Sequence, residues 1–121
     1  MKKTLLATLL AMSSVAYAAD PQPGDVDLFC SGMLLRSSGL INQNIGGYSG
    51  EARSSLMQIS KHLENNGNIL MQKGMTRGGT ADSLNLGSSF ANKEIGNNVL
   101  AIIQKGSKQN QSIMGCLKRN S

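Results

Sequence analysis

Apolar residues recur along most of this chain at intervals of three and four, and no stretch alternates apolar with polar residues over the length of a strand. That period is helical, and it predicts an all-α fold. The first face runs Val26, Phe29, Cys30, Met33, Leu34, Leu40, Ile41, with one skip at Ser37. Asp25 reads as its N-cap, because a carboxylate there accepts from the open amides of the first turn. Asn42 to Gly47, with Gly46-Gly47, ends it. Ser49 reads as the cap of a second helix whose seam is Ala52, Leu56, Ile59, Leu63, Asn66, Leu70. Leu56-Met57-Gln58 returns as Leu70-Met71-Gln72 two heptads later, so Leu56, Leu63 and Leu70 share one heptad position. Such a repeat packs helices nearly aligned, about 20° apart. Asn65-Asn66-Gly67-Asn68 crosses this seam with weak helix formers and leaves room for a kink or a break. Gly74 to Thr80 reads as a second loop. Thr80 or Asp82 then caps a third helix with the face Leu84, Ala91, Ile95, Val99, Ile102, widened by Phe90 and Ile103. Gly106 closes it, and Ser107 caps a short fourth helix carrying Ile113, Cys116 and Leu117. The expected architecture is a small three- to four-helix up-and-down bundle.

Ahead of this pattern lies a different one. Lys2 and Lys3 precede a short apolar run, Thr4 to Val15, and Ala16-Tyr17-Ala18 follows with small residues at the two positions a signal peptidase inspects. The run is shorter than the roughly 20 apolar residues a bilayer span needs and contains Ser13 and Ser14. Residues 1–18 are therefore read as a cleaved export signal of bacterial layout, with the periplasm or the exterior as destination and no membrane span after cleavage. Taking 18 residues from 121 leaves 103, the size of one domain. Residues 19–24, with Pro21 and Pro23, read as a flexible leader, and 25–121 as a single helical domain.

Export changes how the two cysteines are read. In an oxidising compartment Cys30 and Cys116, the only pair, are expected to form a disulfide. A redox or haem-attachment motif would place them in a CxxC, and structural zinc needs about four ligands where the chain has one histidine. Closing the 85 residues between them stabilises the fold by roughly 4 to 5 kcal/mol on chain-entropy grounds. Bundle geometry agrees with the bridge. In antiparallel first and fourth helices, Cys30 lies roughly 20 Å from the end of one and Cys116 roughly 14 Å from the start of the other.

Composition narrows function mostly by exclusion. Loss of Lys2 and Lys3 lowers the formal net charge from +5 to +3, a mild basicity that points to no polyanion. Phe29, Tyr48 and Phe90 are the aromatics left, too few for a base-stacking platform, so no nucleic acid is expected. His62 is the only histidine and reads as solvent-facing, off the seam, with no orienting partner for acid–base work. Met71 and Met75 share a helix face. Thioethers suit Cu(I), but the chain clusters no further sulfur or histidine with them, so packing or an adaptable partner groove is the better reading. The loop from Gly74 to Thr80 precedes a helix but lacks a P-loop's Gly-Lys-Ser/Thr, and Arg77 is its candidate for an anion. Asp20, Asp25 and Asp27 gather at the front, whereas Lys105, Lys108, Lys118 and Arg119 follow the last acid, Glu94. That asymmetry matches helix dipoles, and Lys105 and Lys108 are its candidates for an acidic partner. Asn110-Gln111-Ser112 fits the glycosylation pattern by chance in a bacterial context. No catalytic set, cofactor motif or metal site is read. The expectation is a non-enzymatic protein that binds another envelope or secreted protein, as an inhibitor, an immunity factor or an accessory subunit. The alternatives are a periplasmic stress or acid chaperone and an enzyme with an unrecognised site.

Overall fold

A computed structural model describes residues 22–120, and the expected export signal, residues 1–18, and residues 19–21 of the expected leader lie outside that range. The chain forms α1 (Pro23–Asn44), α2 (Gly50–Thr76), α3 (Ala81–Glu94) and α4 (Lys108–Leu117), with 3₁₀ turns at Ile45–Gly47, Val99–Ile102 and Lys118–Asn120. The all-α bundle is confirmed, with no strand among the described residues. Cys30 and Cys116 are bridged, their Cα atoms 5.2 Å apart.

The centre of the molecule is α1. The extended helix contacts are those of α1 with α2 and of α1 with α3, and α2 and α3 have no comparable contact with each other. A helix covered on both sides cannot confine its small and apolar residues to one stripe. Accordingly α1 buries Leu28, Cys30, Met33, Leu34, Leu40 and Ile41 and also Gly24, Asp27, Ser31, Gly32, Ser37 and Ser38. Leu56, Leu63 and Leu70 of α2 are fully buried, and His62 beside them is exposed, as the heptad predicts. The helix that α2 packs against extensively is α1, and its contact with α3 is slight.

Small residues bring α1 and α2 together. Gly24, Ser31 and Ser38 recur every seven residues on α1, and Ser60, Gly67 and Gly74 every seven on α2. Running antiparallel, they meet in register. A Cβ at Gly24 would lie 2.8 Å from the Gly74 carbonyl oxygen. Ser31 Oγ donates to the Gly67 carbonyl at 2.7 Å. Ser38 Oγ and Ser60 Oγ share a hydrogen bond of 2.8 Å. Leu28 and Leu35 fill the space left at Gly74 and Gly67. The Asn65–Asn68 stretch therefore does not break α2, because Gly67 is a packing position and its carbonyl is held by Ser31.

Several expected boundaries move for equally local reasons. The leader ends sooner than expected: Pro23 and Gly24 belong to α1, proline being suited to the first helical turn. Asp25 lies inside that turn and does not cap its own helix. Gly74 belongs to α2, not to a loop. Ser49 and Thr80 occupy N-cap positions without a side-chain cap bond, whereas Ser107 Oγ does accept from the Asn110 amide at 2.9 Å. The third helix stops at Glu94, since Gly96 turns the chain at φ +54°, and Val99 and Ile102 reach the core from a 3₁₀ turn.

Candidate functional site

Two open troughs run beside α3, and both are floored by α1. The first separates α3 from α2 and has a volume of about 290 Å³. Gly32 keeps its floor low, Leu35 and Met71 form one side, and Leu84 and Ser88 form the other. Arg36 closes one end and donates from Nε to Asn92 Oδ1 at 2.6 Å. Met71 is half-buried in this wall, while Met75, one turn on, is 65% exposed. Met57 lies 18 residues before Met75, five helical turns, and so on the same line of α2; it is 52% exposed.

The second trough separates α3 from α4 and has a volume of about 310 Å³. Phe29, Met33, Phe90, Gly115 and the disulfide line it. The two rings are tilted, with centroids 5.7 Å apart. Gly115 has nothing within 4 Å of where a Cβ would stand, so that wall is open. Phe29 and Phe90 each fall on a helix face in the sequence pattern, but they lie 61 positions apart and nothing local pairs them.

A third feature was missed. Asp27 is fully buried, and each of its oxygens meets an arginine. Arg77 Nη1 lies 3.0 Å from Oδ2, and Arg119 places Nε and Nη2 each 2.8 Å from Oδ1. Lys73 donates to the Arg119 carbonyl oxygen at 3.0 Å. Arg77, read as a loop residue, is thus the C-cap residue of α2 and a partner of a buried acid. The signal available was slight: an acid flanked by Val26 and Leu28 on a helix with apolar positions on both sides.

The neighbouring acid faces elsewhere. Asp25 Oδ1 accepts from the Thr80 amide at 2.9 Å, from the Thr80 hydroxyl at 3.2 Å and from the Ser83 hydroxyl at 2.9 Å. The Thr80 amide, then the Ser83 hydroxyl, hold the Asp25 carboxyl below its ordinary value, against the opposing effect of burial.

The remaining basic candidates stand apart. Lys108 is exposed and 3.6 Å from Glu94, the last residue of α3, with Lys105 exposed nearby in sequence. Arg77 and Met75 lie by the start of α3, so the five candidates form no single cluster. His62 has Asn66 Nδ2 3.4 Å from its Nδ1. Among the described residues, no group of three or more His, Cys, Asp or Glu could hold a metal ion, and no helix is long and apolar enough to cross a membrane. What the geometry offers is binding: two apolar troughs with polar rims, and one cationic end. No family model, curated protein or solved structure matches the chain.

Proposed function

We propose that the protein is an exported, non-enzymatic protein-binding module of the bacterial envelope, of the inhibitor, immunity or accessory-subunit type. The observation that carries this reading is the methionine flank of α2. Met71 lines the trough over Gly32 and Leu35, and Met75 and Met57 extend the same flank into solvent. Unbranched thioether side chains adapt their shape to a partner at little steric cost. A trough between two helices accepts the apolar face of a helix or an extended segment. An interface on the order of 1,200 to 2,000 Å² would extend beyond the trough onto this flank.

The test is capture from envelope extract at neutral pH, with the partner identified by mass spectrometry and its stoichiometry measured after purification. One defined partner is expected, and Met71→Glu with Met75→Glu should abolish its binding while leaving the circular dichroism spectrum unchanged. Undiminished binding by that variant would remove the flank from the interface.

A second reading, a periplasmic stress or acid chaperone, draws on the two buried or half-buried aspartates. Asp25 ties the start of α3 to α1, and Asp27 ties the end of α2 and the last 3₁₀ turn to it. Acid that protonates Asp25 removes the charge that holds the start of α3 against α1. If no partner is captured, and acid-treated client proteins stay soluble only in the presence of this protein, the chaperone reading replaces the first.

A further inference from the structure

We propose that Lys73, Arg77 and Arg119 form an oxyanion-binding site at the end of the bundle where α1 begins, with buried Asp27 as the post that holds both guanidiniums in place. The ligand is a carboxylate or phosphate group. Charge balance is the first argument. One carboxylate shared by two guanidiniums leaves a positive charge, and Lys73, held against the Arg119 carbonyl, adds a second. Asp25, two residues along α1 from Asp27, is engaged with Thr80 and Ser83.

Donor geometry is the second argument. A guanidinium carries five N–H donors in a planar fork. Arg77 directs Nη1 at Asp27, and Arg119 directs Nε and Nη2. The two side chains keep 42% and 31% of their surface exposed, so donors remain at the rim. Pre-organisation is the third. The rotamer freedom that an arginine surrenders on gripping an anion is already surrendered here to Asp27, which favours a bidentate or bridging contact. Lys105 and Lys108 have no such post: both are exposed, and Lys108 meets one partly exposed carboxylate.

The experiment is a titration of the full chain with inorganic phosphate at constant ionic strength, set with chloride so that general screening is unchanged. Side-chain NMR signals of arginine Nε–Hε and lysine Nζ report it. Saturable shifts of Arg77 and Arg119 are expected. Lys73→Met should weaken binding by about fivefold, the loss of one partly exposed charged contact, and Lys73→Arg should restore it. Lys105→Met should leave it unchanged, and thermal melts of all three variants confirm that the fold is kept. Shifts that grow linearly without saturating, or that appear equally at Lys105 and Lys108, would overturn the site. A second arm adds a peptide rich in aspartate and glutamate. Displacement of phosphate assigns the site to protein carboxylates and its absence to free oxyanions, and either result presupposes a saturable site. The proposal stands apart from the methionine flank, so failure of one leaves the other intact.

Discussion

Asp25 and Asp27 are two residues apart on α1, yet they serve different neighbours. Asp27 sits between two arginines in the interior, and Asp25 gathers the first turn of α3 through Thr80 and Ser83. Because the folded Asp25 carboxyl lies below its ordinary value of 3.8, the unfolded chain takes up the proton first as pH falls. The stability it contributes is whole above 3.8 and is lost as pH drops through the lower folded value. Urea denaturation across a pH series should therefore show a shallower acid loss below 3.8 in Asp25→Asn than in the parent. Superimposable pH profiles would show that the Thr80 and Ser83 bonds carry no such linkage. The chemistry of Asp25 was legible in the sequence, and the helix it serves was not. A capping carboxylate is recognised by its local neighbours, whereas Thr80 lies 55 residues away. Arg119 is 92 residues from Asp27, and nothing in either segment announces the other.

Between elements, backbone proximity decides the packing. Gly32 of α1 faces Leu84 and Ser88 of α3, and Gly87 of α3 faces the Phe29 carbonyl of α1, with no room for a Cβ at either glycine. Gly87→Ala should lower stability by about 1 to 3 kcal/mol through overpacking, although alanine is the better helix former by about 1 kcal/mol. Gly115→Ala on α4, where a Cβ meets nothing, should raise stability by up to about 1 kcal/mol. Denaturation of the pair checks this, and equal effects of the same sign would mean that α1 and α3 are not in such close contact. The leucine heptad of α2 was readable because leucine is a strong apolar signal. Its complement, Ser60, Gly67 and Gly74 against Gly24, Ser31 and Ser38, was not, because small and polar residues score as surface or loop. The same blindness made Gly74 look like a loop and Gly67 like a break. The early stop of α3 was hidden for the opposite reason: Ile95, Val99 and Ile102 keep a helical spacing across Gly96, but Gly96 turns left-handed, and Val99 and Ile102 reach the core from a 3₁₀ turn.

Across the whole molecule, α4 lies antiparallel to α1, with Arg119 level with Asp27 and Cys116 level with Cys30. The sequence anticipated this level match, because helical rise and the cysteine positions suffice to compute it. It did not anticipate the troughs, which follow from α2 and α3 packing on α1 with only slight contact between them. Replacing both Cys30 and Cys116 with serine should lower stability by roughly 4 to 5 kcal/mol, read as a reduced urea midpoint under non-reducing conditions. A loss well short of that would mean that the remaining contacts already restrict the unfolded chain. The 86-residue separation of the bridge also orders events in time. On the export reading the bridge closes only in an oxidising compartment, which a chain crossing N-terminus first presents with Cys30 some 86 residues ahead of Cys116. Helical segments with local contacts form in microseconds to milliseconds. The α1–α2 hairpin can therefore zip its small-residue seam before Cys116 arrives. On this timetable the oxidation acts as a latch on a scaffold already assembled, and the thiol that waits for it, Cys30, is the one open to mispairing with other chains.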